Sequence, residues 1–268
     1  MISPNVFNEL MNRGVITNVG LNPENYKNID DLQRYGLATG VGDDNVYMDV
    51  IEDISIAEGV LDKFFEAIAA GGNVVLENDI YITTADMINI TKDVVLDLNG
   101  HSITKTGLTE SGKCILFYVK GGNLTIKGDG DVNVNSGKMD VAIWSDNGST
   151  VSIEGGNFHG VGNANGSDLI YAKGGKVNII NGSFKLDNMD TKSFATPQYS
   201  LLNAYGANVN NAKNYINVVG GSFYKFDPAN NVSEGVNTSF VVDGYESIQN
   251  GDYFVVRETN DLVVEDEQ

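Results

Sequence analysis

Apolar and polar residues alternate along most of this chain in short runs separated by Gly- and Asn-rich turns. The clearest run reads Leu96-Asp97-Leu98, an Asn99-Gly100 turn, then Ile103 seven positions after the run opens. The pattern returns as Val151-Ser152-Ile153 with Phe158, Val177-Asn178-Ile179 with Phe184, and Ile216-Asn217-Val218 with Phe223. A weaker copy opens at Leu124 and carries Val132 one place late. Strict alternation marks a half-buried strand. Strands and turns recurring at a fixed period of 20–50 residues mark a solenoid. The opening residues lie 28, 27, 26 and 39 apart, which predicts coils of about 27 residues with one insertion. Each coil is expected to hold three strands, as at about 114–119, 123–127 and 131–134. Ile103, Phe158, Phe184 and Phe223 then share one inward row, and the three phenylalanines stack as a ladder. The fold class that follows is all-β: a right-handed parallel β-helix over 73–268, with closing strands at its C-terminus.

Residues 1–72 have a different texture. Ser3 and Pro4 read as a helix start and Gly14 as its stop. Between them Val6, Phe7, Leu10 and Met11 form one apolar face. Segments 15–28 and 37–52 are polar and aperiodic, so residues 1–50 read as an appended segment that packs on the solenoid or binds something else. Ser55 and Glu58 form a capping box for a helix at 55–70, with Val60, Leu61, Phe64, Phe65 and Ile68 on its apolar face. A solenoid's first coil exposes an open core and an unpaired edge. A helix directly upstream of the first strands is the expected cap, over 51–72.

Charge narrows the function. With 17 basic against 36 acidic residues the formal net charge is −19, and Arg13, Arg34 and Arg257 are the only arginines. Nucleic acid and anionic membrane surfaces are therefore disfavoured partners, because phosphate neutralisation needs clustered cations. No apolar run is long enough to span a bilayer. The start, Met1-Ile2-Ser3-Pro4, lacks an export signal, so synthesis in a cytoplasm without Sec export is expected. Cys114 is the only cysteine, which excludes an internal disulfide.

The strands carry little candidate chemistry. Glycoside hydrolysis needs a pair of carboxylates, and the candidates Asp97, Asp131 and Glu154 fall in different coils and registers. His101 and His159 read as exposed turn residues at unequal offsets. Asp129 to Asn135 has alternating oxygen ligands but no sharp-turn glycine, so it reads as a strand with a polar outer face and not as a calcium loop. No catalytic residue, cofactor or metal is expected. Tyr118, Trp144 and Tyr171 recur in the first strand of consecutive coils. They are either inward core aromatics or outward rings able to stack on sugars. The long coil's polar excursions, 187–198 and 206–213, are either binding loops or plain surface.

Two stretches carry a resemblance. Phe64 through Gly71-Gly72 and Val74-Val75-Leu76 to Val95-Leu96-Asp97-Leu98-Asn99-Gly100 resembles the opening of pectin-lyase-like right-handed parallel β-helix proteins. Gly220-Gly221-Ser222-Phe223-Tyr224-Lys225-Phe226-Asp227-Pro228, with Phe240 to Tyr245 and Tyr253 to Val256, is similar to the C-terminal part of bacteriophage head-fibre and related surface-fibre proteins. The resemblance implies a non-enzymatic capsid-associated fibre or decoration protein, exposed on the virion, with host or mucus glycans as its candidate ligands. Residues 1–50, with Val6, Phe7, Leu10 and Met11, become the candidate anchor to the major capsid protein or another virion component. A tailspike-type receptor-binding protein or a polysaccharide-degrading β-helix enzyme is the alternative. Outward-facing Tyr118, Trp144 and Tyr171 would also supply a stripe for self-association, with a homotrimer the favoured oligomer.

Overall fold

The computed structural model describes residues 59–162, 167–190 and 200–259. The chain divides into two compact units, Met1–Lys63 and Phe64–Gln268. The candidate anchor residues Val6, Phe7, Leu10 and Met11, and the capping box at Ser55 and Glu58, lie outside the described residues.

A helix, α1, runs over 59–70. In the second unit its Phe64 and Ile68 are buried, the expected face of a cap. Gly71, at φ +79°, ends it: its N–H bonds to the carbonyls of Ala67 and Ile68, and Lys92 Nζ donates to the Ala70 carbonyl at 3.4 Å. The strands then follow coil by coil. The first coil holds β1 (Gly72–Val75), β2 (Ile80–Ile82) and β3 (Ile88–Ile90), and the second β4 (Val94–Asp97), β5 (Ser102–Lys105) and β6 (Lys113–Val119). The third has β7 (Leu124–Lys127), β8 (Asp131–Val134) and β9 (Met139–Asp146). The fourth has β10 (Thr150–Ile153), β11 (Asn157–Gly160) and β12 (Ile170–Lys173). The fifth has β13 (Lys176–Ile179), β14 (Ser183–Leu186) and β15 (Leu202–Ala204). The sixth has only β16 (Ile216–Val218) and β17 (Ser222–Tyr224), before a terminal pair, β18 (Tyr245–Asn250) and β19 (Tyr253–Glu258).

Every third strand pairs in parallel with its equivalent one coil away, which makes three sheets: β1-β4-β7-β10-β13-β16, β2-β5-β8-β11-β14-β17, and β3-β6-β9-β12-β15. This is a parallel β-solenoid. Burial alternates along its strands, as in β10 and β13, because successive side chains point to opposite faces. Ile103, Val132, Phe158, Phe184 and Phe223 occupy one buried row through successive pairings. The phenylalanines stack with ring centroids 5.1 and 5.0 Å apart and interplanar angles of 14° and 10°.

Two expectations change in detail. Val94, not Leu96, pairs with Leu124, so that coil takes 30 residues and the row shifts by two. A two-residue slip keeps the same side chains inside, which is why alternation alone does not reveal it. The closing strands are antiparallel: β18 pairs with β19, and β19 returns against β17, covering the last edge of the second sheet.

Close stacking of turns also fixes composition. A Cβ on Gly107 would lie 1.7 Å from the Thr84 carbonyl oxygen of the preceding coil, so backbone approach demands glycine there.

Candidate functional site

Tyr118, Trp144 and Tyr171 lie in register on β6, β9 and β12, and each is flanked by buried residues on both sides. They therefore face outward from the third sheet. They form a half-buried ridge: Trp144 meets Tyr118 edge-on at 6.0 Å and Tyr171 at 4.7 Å, and Tyr171 continues to Tyr205 at 6.3 Å. The Tyr118 hydroxyl donates to Asp146 Oδ2 at 2.6 Å. That bond, followed by burial, raises its pKa to about 12. Lys113 and Lys173 stand over the Trp144 ring at 5.3 and 5.4 Å, and Lys173 reaches Tyr205 at 5.6 Å.

The upper part of this ridge borders a cleft of about 530 Å³ whose lining includes Lys113, Trp144, Tyr171, Tyr205, Asp168 and Glu234. Tyr205, in its lining, is 61% accessible. Trp144 Nε1 is buried and has no hydrogen-bond partner among the described residues.

The cleft exists because the third sheet stops one coil early. β15 has no strand beyond it among the described residues, and the loop at 233–235 crosses its open edge. Glu234 Oε1 accepts the Ala204 N–H at 2.6 Å, in place of the missing ladder carbonyl. Asp168, two residues before β12, is 7% exposed. Its Oδ1 accepts from Asn203 Nδ2 at 3.0 Å and from the Ser200 N–H at 3.3 Å. Ser200 Oγ and Ser233 Oγ lie 2.6 Å apart, which ties the loop to the start of β15. Adjacent residues of one strand, Asn203 and Ala204, thus grip two carboxylates on one cleft.

Burial, the largest effect on each, pushes Asp168 and Glu234 up to about 7 against the pull of their N–H donors. Each bonds through one oxygen, and no described group donates to Asp168 Oδ2 or Glu234 Oε2. Burial, then the negative charge of Asp168, also raises the Tyr171 hydroxyl to about 12.

Sequence reasoning did not single out Asp168 or Glu234. Asp168 did leave a signal. It stands two residues before Ile170, where the equivalent places in the lower coils hold buried Ile115 and Val141. An acid in an apolar row is costly unless partnered or used. The carboxylates considered from sequence are not brought together. Asp97 pairs with Lys127 at 3.4 Å, Asp131 accepts from Asn157 at 3.0 Å, and Glu154 is exposed.

His101 and His159 do not converge either. His101 lies 3.4 Å from Asp79, while His159 is on β11 and not in a turn, 3.0 Å from Asp187. Both imidazoles are half-buried, which corrects the expectation of exposed turns. Asp131 to Val134 is strand β8 with Val132 and Val134 buried, as its alternation predicts. Of the long coil's excursions, 206–207 lines the cleft, and 191–198 falls outside the described residues. Comparisons of the chain with family models, curated proteins and solved structures give no match.

Proposed function

We propose that this chain is a glycan-binding surface protein, and that the sugar lies in the cleft beside the aromatic ridge of the third sheet. The observation that carries the reading is the outward register of Trp144 and Tyr171, continued by Tyr205, beside buried polar groups at one concave site. Aromatic faces and edges supply apolar contact for the C–H surfaces of a saccharide ring, while a few fixed acceptors and donors orient its hydroxyls. Lysines over the rings and carboxylates in the same lining suit a hydroxyl-rich ligand better than an apolar one.

The setting we propose is a bacteriophage particle, with the β-solenoid displayed and residues 1–50 attached to a capsid component. Its support is the likeness of the closing segment to head-fibre proteins, and the acidic surface suits a displayed part that must not adhere to nucleic acid.

The test is retardation of the full chain in gels cast with bacterial surface polysaccharides or mucin glycans. At least one should slow the wild type, and Trp144→Ala should abolish the effect, a loss of about tenfold or more in affinity. Equal retardation of wild type and variant would overturn the assignment of the cleft.

A further inference from the structure

Asp168 and Glu234 are costly to keep where they are. Burial raises the charging cost of both carboxylates, and the negative charge of Glu234 adds to that of Asp168. A site that only held a sugar could use amides and backbone groups at less expense. The pair is also held firmly. Ser200 bonds Asp168 through its N–H and Ser233 through its hydroxyl, and Ala204 N–H fixes Glu234. Each acid keeps one oxygen without a described partner beside a cleft large enough for a sugar unit and bordered by Trp144 and Tyr171.

We infer that Asp168 and Glu234 hydrolyse the glycan bound in this cleft, one as general acid and the other as general base. The inference rests on the glycan-binding reading. In the reaction the protonated carboxyl gives its proton to the glycosidic oxygen as the C1–O bond to the leaving sugar breaks. A water oxygen bonds to C1, and the other carboxylate takes the proton that water sheds. The products are a hemiacetal and an alcohol; no oxidant, reductant or metal enters the balance. An acid and a base that both titrate near neutral pH are matched to this exchange. Asn203, which donates to Asp168 Oδ1, acts as a positioning residue.

The experiment takes the full chain and each polysaccharide that retards it, and measures new reducing ends across pH. The expected result is release with a bell-shaped pH profile. Glu234→Gln and Asp168→Asn should each lower the rate by at least about a hundredfold. Asn203→Ala removes one stabilising donor from the Asp168 carboxylate, so the profile limb belonging to Asp168 should move to higher pH. That shift would not follow from a purely structural role. Retardation without reducing ends would overturn the hydrolysis and leave the binding reading standing. Unchanged rates in both acid variants, or unsaturated uronate ends in place of saturated ones, would overturn it too. If no polysaccharide retards the chain, both readings fall together.

Discussion

Asp168 shows how much one side chain can reveal. In the unfolded chain its carboxyl loses its proton at the ordinary value of 3.8, whereas in the fold burial holds that step up to about 7. Between these values the native state carries a proton that the unfolded state does not, so this group's contribution to stability falls as pH rises through that window. Glu234, raised in the same direction, adds to the slope. Asp168→Asn removes one titration while keeping the acceptor oxygen. The variant should therefore gain stability over wild type as pH goes from 4 to 8, on the order of 3 kcal/mol, seen as several degrees in thermal melting. A wild-type-minus-variant difference that does not change with pH would show that Asp168 is not held neutral by burial. Because the readout is a difference, carboxylates with lowered pKa, such as Asp146 beside Tyr118 and Asp243 beside Lys213, cancel.

Among the elements, the phenylalanine ladder was readable from sequence and the cleft was not. Phe158, Phe184 and Phe223 recur at one offset from alternating strands, and period and alternation together leave one inward row for them. Phe184 sits between the other two rings with no exposure. Phe184→Ala should cost about 3–5 kcal/mol, measured by denaturant unfolding. A loss under about 1 kcal/mol would mean that the neighbouring coils collapse into the gap. The aromatic row at 118, 144 and 171 was equally legible as a recurrence, yet its direction was not. β6 and β9 each bury four consecutive residues, so the simple alternation that would have assigned it is lost there. The antiparallel return of β19 was hidden for another reason: a closing strand looks the same in sequence whichever way it runs. Glu234 lies in the coil where the repeat breaks down, and a repeat cannot point to what departs from it.

For the whole molecule, the three-sheet architecture follows from the spacing, since parallel pairing of equivalent strands is what a repeated unit with an apolar inner face produces. The attachment proposal belongs to this scale. Deleting residues 1–45 should leave a soluble β-solenoid that no longer joins the particle, assayed by co-sedimentation with capsids; continued decoration would overturn the anchor. Sedimentation of the full chain tests the proposed homotrimer in the same preparations, and a species at the 28.8 kDa protomer mass at micromolar concentration would exclude it. The early stop of the third sheet has a wider consequence. A surface that repeats at every coil offers a repeating polymer many equivalent positions, so a chain lying along it can slide without penalty. One interruption removes that degeneracy: the place where β15 meets a carboxylate in place of another strand is unlike every coil below it. Periodicity builds the scaffold, and the defect in it would give a polymer bound there a single register.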